Sequence, residues 1–152
     1  GFQPNSDPAR FVVPLTGTYT LMLEGYIYNG ADQSYRFAVN EVTDVARTVT
    51  TDSVISGRIE EAGQRHKLTF TLDQAQTVWF DALLPSEVTL RIDGPRGEEL
   101  PTRALQNADW QYGTPAMALL AGDYTVTLEG PGGQVGDFAF QLGDIWLIDP
   151  PM

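Results

Sequence analysis

The sequence predicts an all-β protein, an antiparallel β-sandwich, on three observations. Apolar and polar residues alternate over short runs such as Lys67-Leu68-Thr69-Phe70-Thr71-Leu72, which puts the apolar set on one face of a strand. Gly, Pro, Asn and Asp punctuate those runs roughly every 8 to 12 residues, the spacing of strands in a sandwich. No stretch holds a helical apolar period long enough for a convincing helix.

One piece of text organises the strands because it occurs twice. Leu120-Ala121-Gly122-Asp123-Tyr124-Thr125-Val126-Thr127-Leu128-Glu129-Gly130 repeats Leu15-Thr16-Gly17-Thr18-Tyr19-Thr20-Leu21-Met22-Leu23-Glu24-Gly25 with small edits. Such self-similarity marks domain organisation. Each copy leads through a polar loop to a second alternating strand, Tyr35–Val39 in the first and Phe138–Leu142 in the second. Both copies read as β-hairpins. Ala121-Gly122-Asp123 supplies turn chemistry before the strand, and Gly130-Pro131-Gly132-Gly133 ends it, since Pro offers no ladder donor.

In chain order, Gly1 to Arg10 reads as a loop or arm. Phe11 to Leu15 predicts a short strand, with Pro14 favouring an edge. The Gly17–Val39 hairpin follows, without the strands that precede the second copy. Residues 1–42 are therefore expected to be a partial repeat, the C-terminal strands of a preceding domain. Residues 43–52 read as a linker with an extended piece at Arg47–Thr50.

The complete domain is expected over residues 53–146, with 147–152 as a tail. Its strands are predicted at Ile55–Ile59, Lys67–Leu72, Thr77–Leu83 and Val88–Asp93, with a short one near Glu99–Pro101. A single helical turn fits Ala104–Asp109, then a strand at Met117–Leu120 and the second hairpin. The inward set is Ile55, Ile59, Leu68, Phe70, Leu72, Val78, Phe80, Val88, Leu90, Ile92, Tyr124, Val126, Leu128, Phe138, Phe140 and Leu142. Each such side chain contributes roughly 1.5 to 3 kcal/mol when fully buried, enough together for a self-sufficient core. A lone hairpin is marginal in water, so the first copy must pack on the domain or on another chain, and a homodimer through the partial repeat is one way to do so.

Composition narrows the function. Apolar residues are 42% and charged residues 19%, a globular balance. No apolar run reaches the roughly 20 residues of a membrane helix, so membrane insertion is not expected. Lys plus Arg is 9 against 20 for Asp plus Glu, a net charge of −11 that repels phosphate backbones and argues against nucleic acid. There is no cysteine, which removes disulfides, thiolate metal sites and thiol catalysis.

The order of strands and turns carries a resemblance. Gly57-x-Ile59, then Lys67–Leu72, a hydrophobic strand, and Val88-Thr89-Leu90-Arg91-Ile92 lead into the Asp93-Gly94-Pro95-Arg96-Gly97 turn. Ala121-Gly122-Asp123-Tyr124-Thr125-Val126 and Phe138-x-Phe140 complete it. This pattern resembles the bacterial pre-peptidase C-terminal domain family over roughly Ser53 to Leu142. The resemblance implies a jelly-roll-like sandwich, a non-catalytic accessory module of a secreted or surface protein, often in tandem. It implies an extracellular, cell-surface or periplasmic location, with neighbouring repeats of the same protein as partners. Some relatives bind collagen or calcium, but only Asp44 and Asp52 stand where the calcium-binding ones carry an acidic cluster.

Catalytic chemistry has little to stand on. His66 is the single histidine, whereas a triad or an imidazole metal site needs further partners. Glu60-Glu61 and Glu98-Glu99 are neighbours on strands and point to opposite faces. No catalytic residue, metal ligand or cofactor is therefore assigned. Calcium held by turn carboxylates (Asp93, Glu98, Asp123, Asp137) is the one ion left open. The binding candidates are aromatic: Trp110, Tyr112, Tyr26 and Tyr28, able to stack sugars or dock a matrix protein. The first reading is a spacer or adhesion module; the alternative is a carbohydrate- or matrix-protein-binding module of a secreted hydrolase.

Overall fold

The computed structural model describes residues 10–24, 34–108 and 116–144. Two compact units are present, one formed by Phe11–Glu41 and the other by Gly1–Arg10 with Val42–Met152.

The larger unit is a β-sandwich. Its strands are β1 (Val45–Thr48), β2 (Val54–Ile59), β3 (Arg65–Leu72), β4 (Gln76–Ala82), β5 (Thr89–Gly94), β6 (Gly97–Ala104), β7 (Met117–Leu119), β8 (Gly122–Glu129) and β9 (Gly136–Asp144). One sheet runs β1-β3-β8-β5-β6 and the other β2-β9-β4-β7. The second copy is not the hairpin its sequence suggested: β8 and β9 do not pair with each other, and each is an interior strand of a different sheet. β8 lies between β3 and β5, and β9 between β2 and β4.

All sixteen residues expected to point inward are buried, joined by Leu100, Leu105, Ala108, Met117 and Leu119. Alternation is the cause. Arg65–Leu72 buries His66, Leu68, Phe70 and Leu72 while Lys67, Thr69 and Thr71 face solvent. Phe70 stacks on Tyr124 at 4.9 Å and Phe80 on Phe140 at 5.0 Å, tying the strands within each sheet.

Three further features depart from the sequence reading. β1 falls inside 43–52, the stretch read as linker, and pairs parallel to β3, so the sandwich is not wholly antiparallel. As an edge strand with mostly exposed side chains, β1 has no apolar period to betray it. Its direction follows from β2, which belongs to the other sheet and lies between β1 and β3 in sequence. β6 is eight residues long rather than a short piece at Glu99–Pro101, and Pro101 is accommodated because β6 is also an edge. The helical turn at Ala104–Asp109 is a 3-10 turn over Leu105–Asn107.

The Phe11–Glu41 unit differs in kind. Its described residues carry no hydrogen-bonded strand, so the hairpin expected at Gly17–Val39 is not formed as a ladder there. Its apolar residues are exposed: Tyr19 57%, Leu21 50% and Phe37 53%, against 1%, 0% and 0% for Tyr124, Val126 and Phe140. A hairpin without a covered apolar face has little to hold it.

Candidate functional site

The residues of the family-like motifs build a corner rather than a reactive centre. A Cβ at Gly94 would lie 2.3 Å from the Tyr124 ring, and one at Gly122 would lie 2.6 Å from Pro95. The β5–β6 turn and the start of β8 thus pack with glycine where nothing larger fits. The Tyr124 hydroxyl donates to the Leu120 carbonyl at 2.7 Å, and burial raises its pKa. Arg96 donates to the Glu99 carboxylate at 2.7 Å and to the Ala118 carbonyl at 2.7 Å. The hydrogen bonds from Arg96 hold the Glu99 carboxyl below its ordinary range.

His66 lies at the other end of β3, 7% exposed, edge-on to Phe138 with ring centroids 5.1 Å apart. Gly57 opposite Phe138 leaves room for that ring, since a Cβ there would come within 2.5 Å of it. Among the described residues neither imidazole nitrogen has a hydrogen-bond partner. Burial lowers the His66 pKa, and the nearby Arg58 backbone opposes that shift. The imidazole is a buried residue on the inner face of β3.

Asp44 gathers Arg10, Lys67 at 3.4 Å and the Arg65 backbone N–H at 3.2 Å. Burial opposes ionisation of Asp44, but these donors outweigh it and keep the pKa low. Arg58–Asp137, Arg65–Glu129 and Arg91–Asp93 are pairs on the outer faces, each partly exposed. Among the described residues no group of three or more His, Asp or Glu is placed to hold a metal ion.

The outer face of the β2-β9-β4-β7 sheet presents a different chemistry. Trp79 of β4 is paired in register with Gly143 of β9. A Cβ at Gly143 would lie 2.4, 2.5 and 2.7 Å from three atoms of the indole. These atoms, Nε1, Cε2 and Cζ2, form one side of the indole, so that side of the ring covers the glycine. Asp81, two residues on and on the same face, is paired with Gln141 of β9. Among the described residues neither of these two side chains makes a hydrogen bond or ion pair. Alternation in the sequence already puts Trp79 and Asp81 together on one face of the strand, opposite Val78 and Phe80, but does not reveal the glycine beneath the indole. A separate groove of about 230 Å³ lies between Ser86–Val88 and the Gly130–Gly136 turn.

The aromatic residues singled out in the sequence, Trp110, Tyr112, Tyr26 and Tyr28, lie outside the described residues.

No family model matches the chain, and no curated protein matches it in sequence. Solved structures do. The pre-peptidase C-terminal domain of collagenase from Bacillus anthracis is 12% identical, with a TM-score of 0.49 over 68% of this chain and 99% of that one. Aeromonas hydrophila PliG, a periplasmic lysozyme inhibitor of g-type lysozyme, is also 12% identical, with a TM-score of 0.49 over 67% of this chain and 99% of its own. Salmonella Typhimurium PliG is 14% identical, with a TM-score of 0.42 over 64% and 98%. The two sheets make the chain an all-β sandwich, and the strand and turn motifs resemble the pre-peptidase C-terminal family to which the first of these similar structures belongs.

Proposed function

We propose that this chain is a non-catalytic accessory module of a larger bacterial protein, acting outside the cytoplasm as a spacer or adhesion domain among copies of its own fold. One observation carries the reading. The alternating apolar residues of the same text are buried where it completes a sandwich and exposed where it stands without one. Tyr19 already donates to the Leu15 carbonyl, as Tyr124 does to Leu120, so the corner is repeated as well as the text. Phe11–Val39 then supplies the closing strand of each sheet of a neighbouring sandwich, and Val42 onward is the next one. The family resemblance of the strands and turns supports the same role and the same location.

Transplantation tests it. Residues 116–142 of the full chain are replaced by residues 11–39, and thermal unfolding is followed by circular dichroism. A cooperative transition supports the reading, with Tyr19 taking the place of Tyr124. A chimera that never folds, or one that folds equally well with Tyr19→Asp and Phe37→Asp added, overturns it. Turnover of a peptide, ester or polysaccharide substrate by the intact chain removes the non-catalytic part.

A further inference from the structure

We infer that the outer face of the β2-β9-β4-β7 sheet binds a pyranose unit of a neutral or amino-bearing glycan. Trp79 is the stacking platform, and Asp81 and Gln141 hydrogen-bond the sugar hydroxyls. The inference goes beyond the module reading, naming a ligand class for one face of the sandwich, and does not depend on the partial repeat.

The Nε1–Cζ2 side of the indole covers Gly143 on the outer side of the sheet, and the Trp79 side chain is partly exposed there. A flat aromatic face with a polar rim is the surface on which the C–H face of a sugar stacks. Residues two apart on a strand stand about 6.7 Å from each other, and directly opposed residues about 5 Å. Those separations put the Asp81 carboxylate and the Gln141 amide beside the indole, one sugar ring away. Asp81 accepts from hydroxyls, while Gln141 both donates and accepts. Both are half-buried and unpaired within the protein, unlike Asp93, Glu99 and Asp137, which are held by arginines. The neighbouring outward positions are Thr77, Ala118, Ala139 and Gly143, with Val54 beside Gln141 on the far side from Trp79. A tryptophan serving only to cover a glycine has no need of a free carboxylate and a free amide in the next register pair. The net charge of −11 repels sulfated or uronic-acid polymers, which leaves neutral or amino sugars.

The test is calorimetric titration of the intact chain with cellohexaose, xylohexaose and chitohexaose, with gelatin as the peptide arm. One hexasaccharide is expected to bind at micromolar to millimolar concentration. Trp79→Ala abolishes the binding, and Asp81→Asn and Gln141→Ala each weaken it at least fivefold with the unfolding temperature unchanged. Because Trp79→Ala uncovers Gly143 and could disturb the sheet, the two polar variants carry the decision. The inference is overturned if no hexasaccharide binds, or if neither polar variant changes binding. Loss on Trp110→Ala with Asp81→Asn neutral also overturns it, as does binding of gelatin alone.

Discussion

The two copies of the repeated strand pair are nearly the same text under different conditions. Leu120–Gly130 and Phe138–Leu142 lie in the middle of both sheets, with Tyr124 against Phe70 and Phe140 against Phe80. Leu15–Gly25 and Tyr35–Val39 keep the pattern, and their described residues keep one hydrogen bond of the corner but form no ladder. Local propensity and alternation are therefore insufficient for a strand. The ladder forms where flanking strands exist to receive it, and burial of the apolar face stabilises it.

Paired substitutions break or sharpen this contrast. The largest expected difference is Tyr124→Ala against Tyr19→Ala. Truncating the buried ring costs about 3 to 5 kcal/mol in chemical denaturation of the sandwich, while the exposed one changes it by less than about 0.5 kcal/mol. Equal effects would mean that the first copy is part of the same cooperative unit. Glycines come next. Gly94→Ala drives a methyl into the Tyr124 ring and destabilises by about 1 to 3 kcal/mol, whereas Gly17→Ala meets nothing within 4 Å and is near neutral.

A smaller effect belongs to His66, which has no counterpart in the first copy. Its folded pKa is lowered, so the unfolded chain binds the proton first. Stability is then lost as pH falls below about 6.5 toward the folded pKa, at about 1.4 kcal/mol per unit of difference. His66→Phe is expected to remove that slope between neutral pH and the carboxylate range, read from unfolding midpoints at several pH values. A slope unchanged in the variant would assign the loss to other groups. Smallest is Tyr124→Phe, which forfeits the Leu120 hydrogen bond for about 0.5 to 1.5 kcal/mol, with Tyr19→Phe within about 0.5 kcal/mol.

Most of the sandwich was legible because its inner faces alternate strictly. The cleanest run, Lys67–Leu72, sits within β3, and every residue read as inward is buried. β1 was missed for a physical reason: it holds its place by backbone pairing at an edge and buries little, so no periodic signal exists. The length of β6 was hidden by Pro101, a strand breaker that an edge tolerates. The turn glycines could be read as turns, but their second use, making room for Tyr124, Pro95, Phe138 and Trp79, depends on which strands become neighbours. Register is a long-range property, so alternation gives Trp79 and Asp81 one shared face but not their partners Gly143 and Gln141.

The placement of the closing strands has a consequence for how the molecule is made. A ribosome that has released everything up to Ala108 has produced β1 through β6, yet neither sheet is continuous, since the strands that join β3 to β5 and β2 to β4 come last. The chain must wait, with apolar faces uncovered, until Asp144 clears the exit tunnel. Folding is then a late, non-local event of the slow kind, exposed meanwhile to chaperones and to mispairing with any other strand pair of the same text.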